Sequence, residues 1–346
     1  MKTNQKLSTI FCSMIISALG ITPQSASALN YQVNPLVSNI PLQAPNLDTN
    51  LINPWGLFFV PNGDFWTADN GSNLSTLYQP DGTVIPFVIT ADSAPSGALL
   101  NTSTNQSNFL IGTAPNKQPA RFLFSTENGT ILGFNSLVDP ANSVLAVDNS
   151  ASGTVYKGLE QATTCCSQSM LFATDFFNGK IDVLDGTFSS IGELSDSTIP
   201  AGFAPFNVKM INNLLYVTYA KQLPPANHDD QPGPGNGYVD IFTTAGTLVQ
   251  RLISQGNLNS PWGLALAPST FGQFAGDLLV GNFGDGTINA YDPQTGAFQG
   301  TLSDSMGNPI VIDGLWALEF NSSGVLYFSS GPDNESNGLV GTITPL

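Results

Sequence analysis

The sequence predicts an all-β ring of six blades, a β-propeller, and three observations carry that prediction. A unit returns about every fifty residues, each unit holds short strands divided by glycine-rich turns, and no amphipathic helical period interrupts them. The first and fifth copies are nearly superimposable, Asn53-Pro54-Trp55-Gly56-Leu57 against Ser260-Pro261-Trp262-Gly263-Leu264.

The residues in the Trp55 position of the six copies read Trp55, Phe109, Lys157, Phe206, Trp262 and Trp316. Phe109 and Lys157 are weak matches by themselves and are accepted for the strands that follow them. The second strands run from large apolar residues to small ones and end on Asp69, Glu127, Asp175, Tyr219, Asn282 and Ser330. Third strands open on Gly-x-(Ile/Val), as in Gly129-Thr130-Ile131 and Gly286-Thr287-Ile288. The blades then fall at 53–100, 108–150, 154–200, 204–255, 260–305 and 314–346, in a single domain over 29–346. The last unit has no chain left for a fourth strand, so Val33–Ile40 is expected to complete it and protect the ring's open edge.

Lys2 and Lys6, an apolar run from Ile10 to Ile21 and Ala26-Ser27-Ala28 follow the order of a secretory signal peptide over 1–28, which predicts export to the periplasm or beyond. The run is too short to span a bilayer. Without Lys2 and Lys6 the chain keeps seven bases against 25 acids, a net charge near −18. So few bases exclude nucleic acid and anionic membrane as partners, because both need a basic patch. A small molecule, a glycan or a protein remains, with the chain a monomer. Beyond the leader only Cys165 and Cys166 are left; as neighbours they read as two thiols in a loop or as a strained vicinal disulfide.

Turns between second and third strands and connections between blades open on one face of a propeller, around the channel. Two long segments map there, 90–108 between blades one and two, and 221–236, which holds the one histidine. Asn53, Asn207, Lys221, His228 and Asp313 are therefore expected to bind ligand. Carboxylates and amides converging on a channel suit calcium, which takes roughly six to eight oxygen ligands. The expected ligands are Asp69, Glu127, Asp175, Asn282, Asp229 and Asp230, with Asp285, Asp333 and Glu335 in nearby loops. The plainer reading of these acids is turn chemistry, since Asp and Asn bond their own backbone. The recurring aromatics read as core between blades rather than as a sugar platform.

Asn53-Pro54-Trp55-Gly56, Ala204-Pro205-Phe206-Asn207, His228-Asp229-Asp230, Gly281-Asn282-Phe283-Gly284-Asp285-Gly286 and Gly331-Pro332-Asp333-Asn334-Glu335-Ser336 together resemble an uncharacterised family of secreted bacterial six-bladed propellers. That family is similar in design to NHL-repeat and gluconolactonase-like propellers. The resemblance spans Asn30 to the end and implies the fold without an activity. It also implies histidines where this chain has Phe177 and Asn337, so no imidazole role carries over there. Two functions follow: an exported module binding an unknown ligand on the channel face, or a calcium-dependent, lactonase-like hydrolase. No Gly-x-Ser-x-Gly elbow or paired Cys and His points to nucleophilic catalysis.

Overall fold

The structure is a computed structural model that describes residues 30–163 and 168–346. The expected leader at 1–28 and the Cys165-Cys166 pair lie outside the described residues. Six small antiparallel sheets make six blades. Their innermost strands are Pro54–Phe59, Pro95–Leu100, Tyr156–Thr163, Phe203–Ile211, Pro261–Leu266 and Leu315–Phe320. Each touches the next, and the last touches the first, so the ring is closed.

Blade six is completed as expected. Tyr31–Ser38 pairs antiparallel with Leu339–Pro345, from Tyr31 opposite Pro345 to Ser38 opposite Leu339. Val37 and Tyr31 are buried beneath this seam, and the Tyr31 hydroxyl donates to the Phe271 carbonyl at 3.1 Å.

The Pro-x-Gly motif has a packing reason. A Cβ on Gly97 would stand 2.4 Å from the Leu159 nitrogen, and one on Gly263 would stand 2.7 Å from the Trp316 oxygen. Glycine at this point lets neighbouring innermost strands come within backbone contact and narrows the channel. The residue before it closes the centre. Trp55 stacks on Trp316 at 3.8 Å, Trp262 stands edge-on to both at 6.5 and 5.9 Å, and Phe283 covers the other side of Trp316 at 4.0 Å. The recurring aromatics are thus core.

Blade two departs from the expected boundaries. Its innermost strand is Pro95–Leu100, so Ser96, and not Phe109, stands in the Trp55 position. The sequence hides this because Pro95-Ser96-Gly97 keeps the proline and glycine of the motif but lacks its aromatic. Only 91–94 join blade one to blade two. The long excursion is 101–121, between the first and second strands of blade two, and it carries a small hairpin of Leu110–Ile111 and Gln118–Pro119. Buried Phe109 anchors it. It contacts Gln161 and the Gly186 carbonyl in blade three, at the end of the ring opposite 221–236. The expectation that both long segments share one face is therefore corrected: 222–236 stands alone on the channel mouth considered below.

Candidate functional site

Strand register decides which side chains reach the mouth. Pro54 pairs with Asp69, Pro95 with Thr126, Tyr156 with Asp175, Pro205 with Tyr219, Pro261 with Asn282 and Leu315 with Ser330. Thr126, and not Glu127, is thus the equivalent of Asp69. Because side chains alternate along a strand, that single residue changes where they go.

Asp69, Asp175 and Asn282 turn into their own blades. Asp69 accepts from the Thr67 and Thr76 hydroxyls at 2.7 and 2.8 Å. Asp175 accepts from Thr154 and Asn178 at 3.0 and 2.7 Å. Asn282 accepts from the Asn259 amide at 3.0 Å and donates to the Asn257 carbonyl at 2.8 Å. The structure does not gather these three with Glu127 into one ligand shell, and each has the turn and strand-end role of the plainer reading.

Burial pushes the Asp69 carboxyl up to about 8, against the opposing pull of Thr67 and Thr76. Burial likewise pushes Asp240 up to about 7, with Arg251 opposing. Each native acid keeps a proton that the unfolded chain, titrating near the usual carboxylate value, has already lost. Stability should accordingly fall as pH rises from about 4, by up to about 1.4 kcal/mol per pH unit for each group, until Asp240 has ionised near 7 and Asp69 near 8. Urea melts across that range check this, and Asp69→Asn should flatten the slope. An unchanged slope in Asp69→Asn would show that Asp69 does not titrate there.

The residues one position further on are Asn70, Glu127, Phe176, Ala220, Phe283 and Gly331, and they rim the mouth. At its centre is Lys157, only 2% exposed, in the position that other blades fill with Trp, Phe or Ser. Its ammonium lies 4.9 Å over the Trp55 ring and pairs with Glu127. Glu127 also accepts from Asn70 at 2.8 Å. Asn53 approaches the Asn70 oxygen at 3.4 Å, donates to Glu335 at 2.6 Å, and accepts from the Trp316 indole at 2.9 Å. From blade four, His228 Nδ1 sits 2.8 Å from Asp229, whose carboxylate is 3.9 Å from the Lys157 ammonium. Blade four also supplies buried Asp230, and blade five supplies Ser260 and Trp262.

All six blades thus bring a polar group to one small volume. Among the described residues the Trp55 and Trp262 indole nitrogens are buried without a hydrogen-bond partner, while the buried Ser260 hydroxyl and Asp230 carboxyl face each other. Buried polar atoms are nearly always paired in native proteins, so two free indole donors beside one channel mouth point to a place that can meet something polar.

Glu335 comes from an unusual turn. Asp333, Asn334 and Glu335 all have positive φ, at 59°, 53° and 65°. Each non-glycine residue held this way costs roughly 1–2 kcal/mol. Such strain clusters at functional sites, and here it lays Glu335 against Asn53. Exposed Asp313, expected to bind ligand, instead accepts from the Asp333 backbone at 2.9 Å and braces the turn. Asn207 is below the mouth in the channel wall, donating to the Trp262 carbonyl at 2.9 Å. Lys221 begins the His228 loop, its carbonyl accepting from Gln231.

The surroundings push these groups in different directions. Burial raises the Glu335 and Asp230 carboxyls, whereas the His228 bond lowers Asp229 and, reciprocally, raises His228. Ligand atoms of Glu127, His228 and Asp229 also lie within 4.8 Å of one another, close enough to share a metal ion. Asn53, Glu127, His228, Asp229 and Asp230 are the expected site residues that the structure gathers. Lys157 and Asn70 were not anticipated; the one available signal was a lysine at a recurring aromatic position.

Fold and mouth together define a six-bladed propeller with a polar site on its axis. Solved structures agree on the fold. A virginiamycin B lyase from Staphylococcus aureus is similar with a TM-score of 0.52 and 12% identity, over 92% of this chain and 100% of that one. A Bacteroides thetaiotaomicron protein of unknown function is similar with a TM-score of 0.57 and 10% identity, over 90% and 76%. A luciferin-regenerating enzyme is similar with a TM-score of 0.52 and 14% identity, over 86% and 92%. No protein-family model matches the chain. The uncharacterized protein L690 of Acanthamoeba polyphaga mimivirus is 33% identical over 337 residues, 93% of this chain and 87% of that protein. The uncharacterized protein R648 of the same virus is 34% identical over 351 residues, 95% and 85%. The chain belongs to one family with these mimivirus proteins.

Proposed function

We propose that this protein is an exported binding propeller that takes a polar small molecule or glycan at the channel mouth. The observation that supports it best is the convergence of polar groups from all six blades on buried Lys157, with the Trp55 and Trp262 indole donors among them buried and unpartnered. Indole N–H groups and a hydroxyl offer donors, Asp230 and Glu335 offer acceptors, and the 222–236 loop lies over them. Sites of this kind orient a ligand by a few converging polar groups on an apolar floor, here Trp55, Trp316 and Phe283. Export rests on the leader at 1–28, and nothing basic enough for nucleic acid accompanies it. A thermal-shift screen of sugars and polar metabolites tests the reading. Ligands that raise the melting temperature of the native protein should not raise that of Glu127→Gln or Trp262→Phe; hits that shift all three alike place binding elsewhere.

A second reading is metal-assisted hydrolysis, favoured by the Glu127, His228 and Asp229 cluster. Calcium prefers oxygen ligands alone, and an imidazole with two carboxylates is nearer the set that zinc or manganese uses. The Lys157 ammonium opposes any cation there and would have to leave Glu127. Metal content by mass spectrometry, with melting followed with and without chelator, separates the readings. A stoichiometric ion that raises the melting temperature, and is lost in His228→Ala, supports hydrolysis; no ion and no shift with added calcium, zinc or manganese removes it.

A further inference from the structure

The channel has a second charged level at its other end. Three residues past the Trp55 position the innermost strands carry Phe58, Leu99, Glu160, Lys209, Ala265 and Glu319, paired across their blades with Trp66, Leu123, Phe172, Tyr216, Leu279 and Tyr327. Lys209 of blade four pairs with Glu319 of blade six, passing blade five, where the equivalent residue is only Ala265. Glu160 of blade three accepts backbone N–H bonds, from Met210 at 2.9 Å and Gln161 at 2.8 Å. Among the described residues no side chain hydrogen-bonds or ion-pairs with it directly, and the Lys209 charge acts on it across a longer gap.

Only nine lysines and arginines occur in the whole chain, and two lie on this axis, Lys157 at one end and Lys209 at the other. Chance placement of so scarce a residue does not favour the centre of a propeller, where charge is costly. Glu160 and Lys209 are deep in the molecule yet keep accessible surface, because they face a cavity of about 320 Å³. Aliphatic Leu99, Leu159 and Val208 line it together with polar Thr102, Asn207 and Asn321. Burial works against the Lys209 charge, but Glu319 and Glu160 outweigh it and hold the ammonium above its usual range; burial raises the Glu160 carboxyl.

We infer that this cavity is a second binding site, distinct from the charged cluster at the mouth although Trp262 borders both, that takes a small organic cation: an ammonium or guanidinium group on a short apolar body. Two carboxylates against one lysine leave the cavity one negative charge in excess when both are ionised, and a bound cation favours the ionised form of Glu160 that burial opposes. The aliphatic wall suits an alkyl chain, and the volume, at the lower end of the range for ligand pockets, limits its length. An anion meets two carboxylates, and a neutral chain adds no positive charge to balance them.

Ligand-observed NMR titration with n-butylammonium, n-butanol and butyrate tests this. Saturable binding of butylammonium alone is expected, in the millimolar range. Glu160→Gln should weaken it by about tenfold or more, as removal of a buried charge partner does. Glu319→Gln, which returns Lys209 to partner Glu160, should weaken it too, and serves if the first variant fails to fold. Glu127→Gln, at the mouth, should leave it unchanged. The inference is overturned if butylammonium does not saturate, if butanol binds as well, or if a folded Glu160→Gln or Glu319→Gln binds as tightly as the native chain. Loss in Glu127→Gln alone would assign the cation to the mouth and also overturn it.

Discussion

Lys157→Met should destabilise the protein by about 3–5 kcal/mol, because it leaves the nearly buried Glu127 carboxylate without its counter-charge. Glu127 is 13% exposed, and Asn70 then remains as its hydrogen-bond donor. The double variant Lys157→Met with Glu127→Gln should recover most of the loss, since a neutral amide keeps the Asn70 contact and needs no cation. Denaturant melts of the native protein, both single variants and the double variant form the cycle that isolates the pair. Additive losses would mean that Lys157 is held by its stem and not by its charge. The same variants separate folding from binding: a stable double variant that no longer responds to a mouth ligand places recognition in the charged pair itself.

Removal of the strand Tyr31–Ser38 should have the larger effect on folding. It supplies the fourth strand of blade six, and its loss uncovers the Leu339–Pro345 edge. Tyr31 and Val37, both buried, contribute roughly 1.5–3 kcal/mol each by burial, and the ladder to Leu339–Pro345 adds about 1 kcal/mol per hydrogen bond. Together these approach the whole stability of an ordinary domain, about 5–15 kcal/mol. A chain beginning at Asn39 should therefore show no cooperative melt and should associate through its open edge, whereas one beginning at Asn30 melts in a single transition. Calorimetry and size-exclusion chromatography read both outcomes. Equal melting temperatures would mean that the ring is held by contacts between blades alone.

Much of the fold was legible because most blades repeat one local solution. A large side chain fills the centre in five of them, and a glycine, Gly56, Gly97, Gly158 or Gly263, permits close approach in four. Blade two was misplaced where that solution loses its most visible letter: Ser96 replaces the aromatic, and Phe109, an anchor for the hairpin of Leu110–Ile111 and Gln118–Pro119, looked like the missing ring. Blade closure was legible from a shortage of chain at one end and an unassigned apolar strand at the other.

The site was legible only in part, for a different reason. Its residues are distant in sequence, and register decides whether an acid enters the channel or its own blade. Asp69 and Glu127 both follow a small-residue strand, but Thr126 is the true counterpart of Asp69, and one residue separates a buried strand-end carboxyl from a mouth carboxylate. Composition cannot count that step. Lys157 stood in the alignment as an ill-fitting core residue; its meaning came only when Glu127 from blade two and Asp229 from blade four were brought beside it.

The most direct test of the mouth as the binding site is hydrogen exchange with and without a ligand found by thermal shift, measured on the intact protein. Protection is expected in 222–236, around Asn53 and Asn70, and in the Asp333–Glu335 turn, and should vanish in Glu127→Gln. Protection confined to 101–121 or the outer strands, with these segments unchanged, would contradict the account.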